Sequence, residues 1–312
     1  MPENSQSDYV GLDIAAARLD YCLNETEEGN CANDPQGRRS LIARLKKLPH
    51  PRVICEASGG YEKVVVAELL ADGLEVCVVQ PSRVRAFAYA EGLLAKTDRI
   101  DARLLRRFGQ KVEPRLAIPA IPALVTLREL LDHRRALTLQ CSEVEGRRPL
   151  AGATLTKLLN KQRTFLQKQL EEVEKMIRQH IDSDPDLRSK SERLQQIKGV
   201  GPVLASTLLA YVPELGNIES PQLSALIGVA PHPKDSALTR APRHVRGGRS
   251  QVRHVLHMAA VCASRRNPIL AAFYQRLKSH GKPPMVCLVA VMRKMVCLMN
   301  RLIQDPNFIL AR

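Results

Sequence analysis

With 312 residues, 45% of them hydrophobic and 25% charged, the chain is long enough for two or three domains with buried cores and too apolar for a disordered protein. Its 47 Lys/Arg against 32 Asp/Glu give a net charge of +15 and a pI of 9.7, which favours a polyanionic partner, most simply nucleic acid. The polar start Met1-Pro2-Glu3-Asn4-Ser5 and the lack of a long apolar run are read as excluding a signal peptide or membrane anchor, so a cytoplasmic protein is expected.

The eight cysteines are scattered without a Cys-x-x-Cys pair, and Cys55, Cys77, Cys262, Cys287 and Cys297 sit in apolar runs. They are expected to be reduced core residues, with neither disulfides nor a zinc site. Charge is unevenly placed: from Ser191 to the end there are 17 Lys/Arg against 5 Asp/Glu, a net +12. The amino-terminal half is nearly balanced.

Tyr9 to Ile14 reads as a central strand interrupted by one acid, Asp13, and Arg18 to Leu23 as its hairpin partner. Leu41 to Leu48 suggests a helix. Pro51 to Glu56 is a further strand that ends on an acid, and Ala57-Ser58-Gly59-Gly60 turns into a helix over Tyr61–Ala71. Gly73 to Val79 is the next strand, and Pro81 opens a helix. A hairpin followed by alternating helices and strands predicts an α/β sheet with helices packed on it.

In Lys96-Thr97-Asp98-Arg99-Ile100-Asp101-Ala102-Arg103-Leu104-Leu105, helical spacing puts Asp98 and Asp101 on one face, with Thr97 as a cap. Two adjacent carboxylates repel by roughly 4 kcal/mol at 4 Å and an effective dielectric near 20, so the pair needs a cation, a shared proton or full exposure. Asp13 within an apolar strand and Glu56 at a strand end need the same explanation. Four acids on three elements could converge at one edge of the sheet, and such hard oxygen donors suit Mg²⁺ or Mn²⁺ in phosphodiester chemistry.

Pro114 to Pro122 reads as a linker. Two long helical patterns follow, Ala123 to about Glu145 and Thr154 to about Ile181, separated by a break over Gly146–Gly152. They could pair as an antiparallel hairpin or self-associate. Asp184-Pro185-Asp186 ends the second pattern. Ile197-Lys198-Gly199-Val200-Gly201-Pro202 has the look of a helix-hairpin-helix turn, whose glycines Gly199 and Gly201 would let the backbone approach a phosphate. Helices over Val203–Tyr211 and Gln222–Ile227 complete that region.

Arg240, Arg243, Arg246, Arg249 and Arg253 fall within 14 residues with no acid between them. Pro242, Gly247 and Gly248 forbid a continuous helix, so an arginine-lined loop is expected to contact nucleic-acid phosphates. His254 and His257 read as core or DNA-facing residues, since no third metal ligand accompanies them. Met285 to Ile303 forms an apolar closing helix with Arg293, Lys294 and Arg301 along one side. Aromatics at 4% with no Trp make a base-stacking platform a weak prospect.

The motifs Val10-Gly11-Leu12-Asp13, Cys55-Glu56-Ala57-Ser58-Gly59 and Lys96-Thr97-Asp98-Arg99-Ile100-Asp101-Ala102-Arg103 resemble the DEDD catalytic domain of bacterial insertion-sequence recombinases, relatives of the Piv DNA invertases. From Ile197-Lys198-Gly199 through Leu226-Ile227-Gly228-Val229-Ala230-Pro231 to Val291-Met292-Arg293-Lys294, the chain resembles the transposase domain of the same family. The resemblance implies three parts: an RNase H-like (RuvC-like) α/β domain over 1–113, a linker and coiled-coil helices over 114–190, and a basic, mainly helical domain over 191–312. It implies that Asp13, Glu56, Asp98 and Asp101 bind Mg²⁺ (or Mn²⁺). It also implies that Ser236, five residues past Pro231, is the nucleophile of DNA cleavage and rejoining. The family usually has glycine after this serine, where Ala237 stands here; Ser250 is the fallback.

Double-stranded donor and target DNA, a structured noncoding bridge RNA and a homo-oligomer, a dimer or tetramer, are the implied partners. Two other readings are a metal-dependent junction nuclease in which Ser236 is structural, and a non-catalytic nucleic-acid-binding scaffold. An actin-like kinase is disfavoured, because Ala15-Ala16-Ala17-Arg18 lacks the glycines of a phosphate loop.

Overall fold

In a computed structural model, residues 8–92, 98–117, 119, 121–232, 235, 236, 239, 240, 244, 245 and 247–310 are described. They form two compact units, Met1–Ala120 and Ile121–Arg312.

The first unit is built on a mixed five-stranded sheet. Strands β1 (Asp8–Ile14), β2 (Arg18–Cys22), β3 (Glu28–Ala32), β4 (Pro51–Glu56) and β5 (Glu75–Val79) lie in the order β3-β2-β1-β4-β5. β1 pairs antiparallel with β2 and parallel with β4, and β4 pairs parallel with β5. That arrangement is compatible with an RNase H-like domain.

Helices α1 (Pro35–Leu45) and α2 (Glu62–Ala71) cover one face through Leu41, Leu45, Val65 and Leu69. Helices α3 (Pro81–Ala90) and α4 (Asp98–Val112) cover the other through Val84, Leu104, Leu105 and Phe108. Strand alternation feeds both cores: Val10, Leu12, Val53 and Cys55 point to the first and Ile54 and Cys77 to the second.

Alternation in the sequence predicts four of these strands; β3 is the addition. Its residues Glu28-Gly29-Asn30-Cys31-Ala32 lack apolar alternation because it is an edge strand. α1 also begins earlier than read: Asp34 accepts the Gly37 N–H at 2.7 Å, and Pro35 occupies the first turn, where its missing N–H costs nothing.

The second unit is helical. α5 (Pro122–Arg147) and α6 (Ala153–Ser183), joined through a short 3₁₀ turn at Arg148–Leu150, form an antiparallel hairpin. Its sense is fixed by His180 Nε2 against the Ala123 carbonyl (2.7 Å), Arg134 Nη2–Glu174 (2.7 Å) and Arg163–Glu145 (2.6 Å). Heptad-spaced Leu124 and Leu131 belong to one core with Leu159, Leu166, Val173 and Ile177 of α6. Gly146 lies inside α5, so the expected break is confined to residues 148–152.

Helices α7 (Pro185–Gln195), α8 (Pro202–Tyr211), α9 (Ser220–Ile227), α10 (Ser250–Arg266), α11 (Pro268–Ser279) and α12 (Pro284–Gln304) complete the unit and share the core of the hairpin. Asp184-Pro185-Asp186 is expected only as the end of the preceding helical pattern, yet Asp184 caps α7 from the residue before the proline, and Asn267 caps α11 in the same way. The cysteines are free thiols. Cys55, Cys77 and Cys287 are buried, and burial pushes Cys55 up to about 12 and Cys77 to about 11, so both stay neutral. Cys262 is exposed on α10, against expectation, because the apolar residues around it serve a different helix face.

Arg193 of α7 stops the end of α12. It donates to the carbonyls of Leu302 (2.8 Å), Asp305 (3.0 Å) and Pro306 (2.8 Å), which have no partner within the helix. Arg193→Ala is expected to cost about 2 kcal/mol, the scale of a charged hydrogen-bond donor lost from helix-end carbonyls, as read by urea denaturation.

Candidate active site

The carboxylates of the first unit are arranged by strand register. Leu12 lies opposite Cys55 in the parallel β1–β4 ladder, so Asp13 and Glu56, one step further along each strand, are neighbours. Alternation turns both towards the α4 face, since Leu12 and Cys55 belong to the opposite core. Asp13 also lies opposite Asp20 in the antiparallel β1–β2 ladder.

Helix α4 crosses β1 closely because Gly11 has no side chain. A Cβ there would overlap the Ala102 carbonyl oxygen and lie 2.7 Å from the Arg106 nitrogen. Further along, a Cβ on Gly109 would lie 2.6 Å from Ile54 and 2.7 Å from Tyr9. α4 therefore runs antiparallel to β1, and its first turn, with Asp98 and Asp101, lies towards the strand ends that carry Asp13 and Glu56.

Asp13, Glu56 and Asp101 are each half-buried, and the side chain of Asp98 lies outside the described residues. Among the described residues no group of three His, Cys, Asp or Glu side chains is close enough to hold a metal ion.

Asp20 is the acid that sequence reading passed over. It is only 6% exposed and accepts Arg18 Nε at 2.7 Å. Period-two alternation back from the β1–β2 turn would have placed it beside Asp13. After Glu56, Glu62 fixes the turn by accepting the N–H groups of Ser58 (3.0 Å) and Gly60 (2.8 Å) and the Ser58 hydroxyl (3.1 Å). Partial burial raises the Glu62 carboxyl, but these hydrogen bonds outweigh it and hold the group below its ordinary value.

In the second unit Ser236 sits on a short hairpin. Strands β6 (Pro231–His232) and β9 (His244–Val245) pair antiparallel, and within them β7 (Asp235–Ser236) pairs with β8 (Thr239–Arg240). Ser236 lies opposite Thr239 and is the last described residue of β7. Arg243 and Arg246 lie outside the described residues, as do the side chains of Ser236 and Arg240. Arg249 and Arg253 are placed, and both are engaged within the protein. Arg249 forks onto the two carboxylate oxygens of Glu214 at 2.6 and 2.7 Å, and Arg253 donates to the Gly247 carbonyl.

Two family models match the chain: one described as a transposase, for the DEDD type, over residues 10–148, and one described as the transposase IS116/IS110/IS902 family over residues 191–275. The chain belongs to this transposase family. Two curated relatives are similar along almost their whole length. The pilin gene-inverting protein of Moraxella lacunata is 26% identical over 308 residues, 95% of this chain and 96% of its own. That of Moraxella bovis is 25% identical over 308 residues with the same coverage.

The first match on the transposase contains Asp13, Glu56, Asp98 and Asp101, and the second contains Ser236 and all five arginines. The second match also takes in Gly199 and Gly201, on the turn between α7 and α8. Gly199, at φ +108°, packs where a Cβ would lie 2.6 Å from that of Ala263 on α10, so a structural demand accounts for this glycine. Gly201 precedes α8 with open space before it. On α10 of the transposase, His254 is exposed, while His257 buries an Nε2 that finds no hydrogen-bond partner among the described residues. Ser250 opens the same helix and is exposed. No helix among the described residues is long and apolar enough to cross a membrane.

Proposed function

We propose that this transposase cleaves and rejoins DNA strands through a serine-linked intermediate. Asp13, Glu56, Asp98 and Asp101 would hold Mg²⁺ or Mn²⁺, and Ser236 would be the nucleophile. The observation that carries the reading is the register that sets Asp13 beside Glu56 on the face crossed by the first turn of α4. An all-carboxylate donor set of this kind fits a hard divalent cation. When bound, the cation would stabilise negative charge on the phosphate oxygens.

In the chemical step, Ser236 Oγ forms a new ester bond to phosphorus while the bond to one deoxyribose oxygen breaks. Ser236 gives up its proton and the displaced deoxyribose oxygen gains one. One phosphodiester is exchanged for another, so attack by the hydroxyl of a second strand reverses the step and rejoins DNA. A position beside a hairpin tip suits a residue that must reach into a bound duplex.

The partners are donor and target duplex DNA and a structured bridge RNA that pairs with both, in the cytoplasm. The excess charge of the carboxy-terminal part supports contact with such polyanions. A homo-oligomer, a dimer or tetramer in which the acids of one subunit serve the serine of another, is supported by Leu139, Leu155, Leu158 and Phe165, exposed apolar residues on the α5–α6 hairpin.

The test is denaturing capture of protein–DNA adducts on duplexes carrying the ends of the chain's own insertion sequence, with the RNA that copurifies. Wild type is expected to yield an adduct mapped to Ser236, and Ser236→Ala none, with DNA affinity unchanged. Cleavage that persists in Ser236→Ala without any adduct would establish the water-using nuclease instead.

A further inference from the structure

The hairpin that carries Ser236 leaves the helical unit at Gly228 and returns at Gly247, and its two ends are tied together there. Gly228 caps α9 in the left-handed region, at φ +85°, and a Cβ on Gly248 would lie 2.5 Å from the Gly228 Cα. Arg253 reaches back from the first turn of α10 to the Gly247 carbonyl. The Arg249 backbone N–H binds the Leu226 carbonyl at 3.1 Å, and its guanidinium is held by both oxygens of Glu214.

Glu214 is not on a loose loop. Its turn between α8 and α9 is fastened to α12 by Asn300, which is fully buried. Asn300 accepts the Gly216 N–H at 2.8 Å and donates to the Ile218 carbonyl at 2.8 Å. Burial raises the Glu214 carboxyl, but the hydrogen bonds from Arg249 outweigh it and keep the group below its ordinary value, hence charged at neutral pH.

Whatever this part-buried ion pair adds to folding stability, its two-pronged geometry fixes direction. Direction matters because the hairpin is a lever. A strand of six residues spans about 17 Å, and on a lever of that length a tilt of about 5° at the foot moves the far end by about 1.5 Å. Displacements of about 1 Å at a reacting atom cost roughly a hundredfold in rate.

We propose that Glu214 is a positioning residue for strand cleavage, holding the foot of the hairpin through Arg249 and thereby setting where Ser236 meets the phosphate. The proposal rests on Ser236 being the nucleophile. It is tested with Glu214→Gln and Arg249→Lys in the full chain, with copurifying RNA and insertion-sequence end duplexes. Three quantities are read: the rate of Ser236–DNA adduct formation, DNA affinity, and amide hydrogen exchange of residues 231–245.

Both variants are expected to form adduct roughly 10- to 100-fold more slowly, to bind DNA within about twofold of wild type, and to exchange faster at residues 235–240. Arg249→Lys keeps the charge but not the fork, and it carries the test if Glu214→Gln does not fold. Adduct formation at wild-type rate per folded molecule would overturn the proposal, whatever the melting temperature. A parallel loss of rate and affinity would overturn it too, by making the pair a binding element. Absence of a Ser236 adduct in wild type would refute the nucleophile instead, and hydrogen exchange alone would then decide whether the pair holds the hairpin.

Discussion

Gly11→Ala is expected to lower the stability of the first unit by about 3 kcal/mol and its melting temperature by roughly 10 °C or more, as read by calorimetry. The new Cβ would overlap the Ala102 carbonyl oxygen and approach the Arg106 nitrogen (2.7 Å) and the Ala102 carbonyl carbon (2.9 Å). All three are backbone atoms, so no rotamer change relieves the contact. α4 must lift from β1, which opens the core of Ile54, Leu104, Leu105 and Phe108. The same movement carries Asp101 away from the strand ends, so the surviving folded fraction should also lose DNA cleavage. A control at Gly59, where an added Cβ meets nothing within 4 Å, separates steric displacement from the left-handed backbone demand of that residue at φ +75°. It should cost far less at the α4 interface.

Asp13→Asn is expected to reduce strand cleavage about a thousandfold or more, the rate equivalent of losing several kcal/mol of charge stabilisation at the phosphate. Asp13 has Asp20 opposite it on one side and Glu56 as its neighbour on the other, so the substitution removes the central acid of that row. A second readout is independent of activity. Millimolar Mg²⁺ should raise the melting temperature of wild type, because a ligand that binds only the folded state stabilises it, and should do so much less in Asp13→Asn. Equal Mg²⁺ shifts in the two proteins would sink the metal assignment even if cleavage fell.

Much of the first unit was legible because its chemistry is local. Alternation in β1, β2, β4 and β5 and the helical spacing of α4 follow from which side chains must leave water, and each is written within about a dozen residues. β3 escaped because an edge strand need not bury a face. The starts of α1, α7 and α11 share one signal, Asp34-Pro35, Asp184-Pro185 and Asn267-Pro268, in which a capping side chain precedes a proline. Read as the end of the preceding helix, Asp184-Pro185 conceals the start of α7.

The roles of the basic residues were the least legible. A run of arginines without acids between them reads as a phosphate surface, but the partner of Arg249 is Glu214, 35 residues earlier and on another turn. Gly199 likewise reads as a flexible approach point, while its packing partner Ala263 lies on α10. Pairings of this kind leave no periodic trace.

The sequence by itself determined the α/β sheet, the places of Asp13 and Glu56 on strands and of Asp98 and Asp101 on one helix, the membership of the family and the basic character of the carboxy-terminal part. These follow from residue type and short-range spacing, to which one-dimensional patterns are sensitive. Only the tertiary structure decided that Asp13 stands between Asp20 and Glu56, that α4 runs back over β1, and that Ser236 ends a hairpin whose foot is held by Glu214. Each of these depends on register or on side chains that meet across long stretches of chain, and packing in three dimensions alone sets such distances.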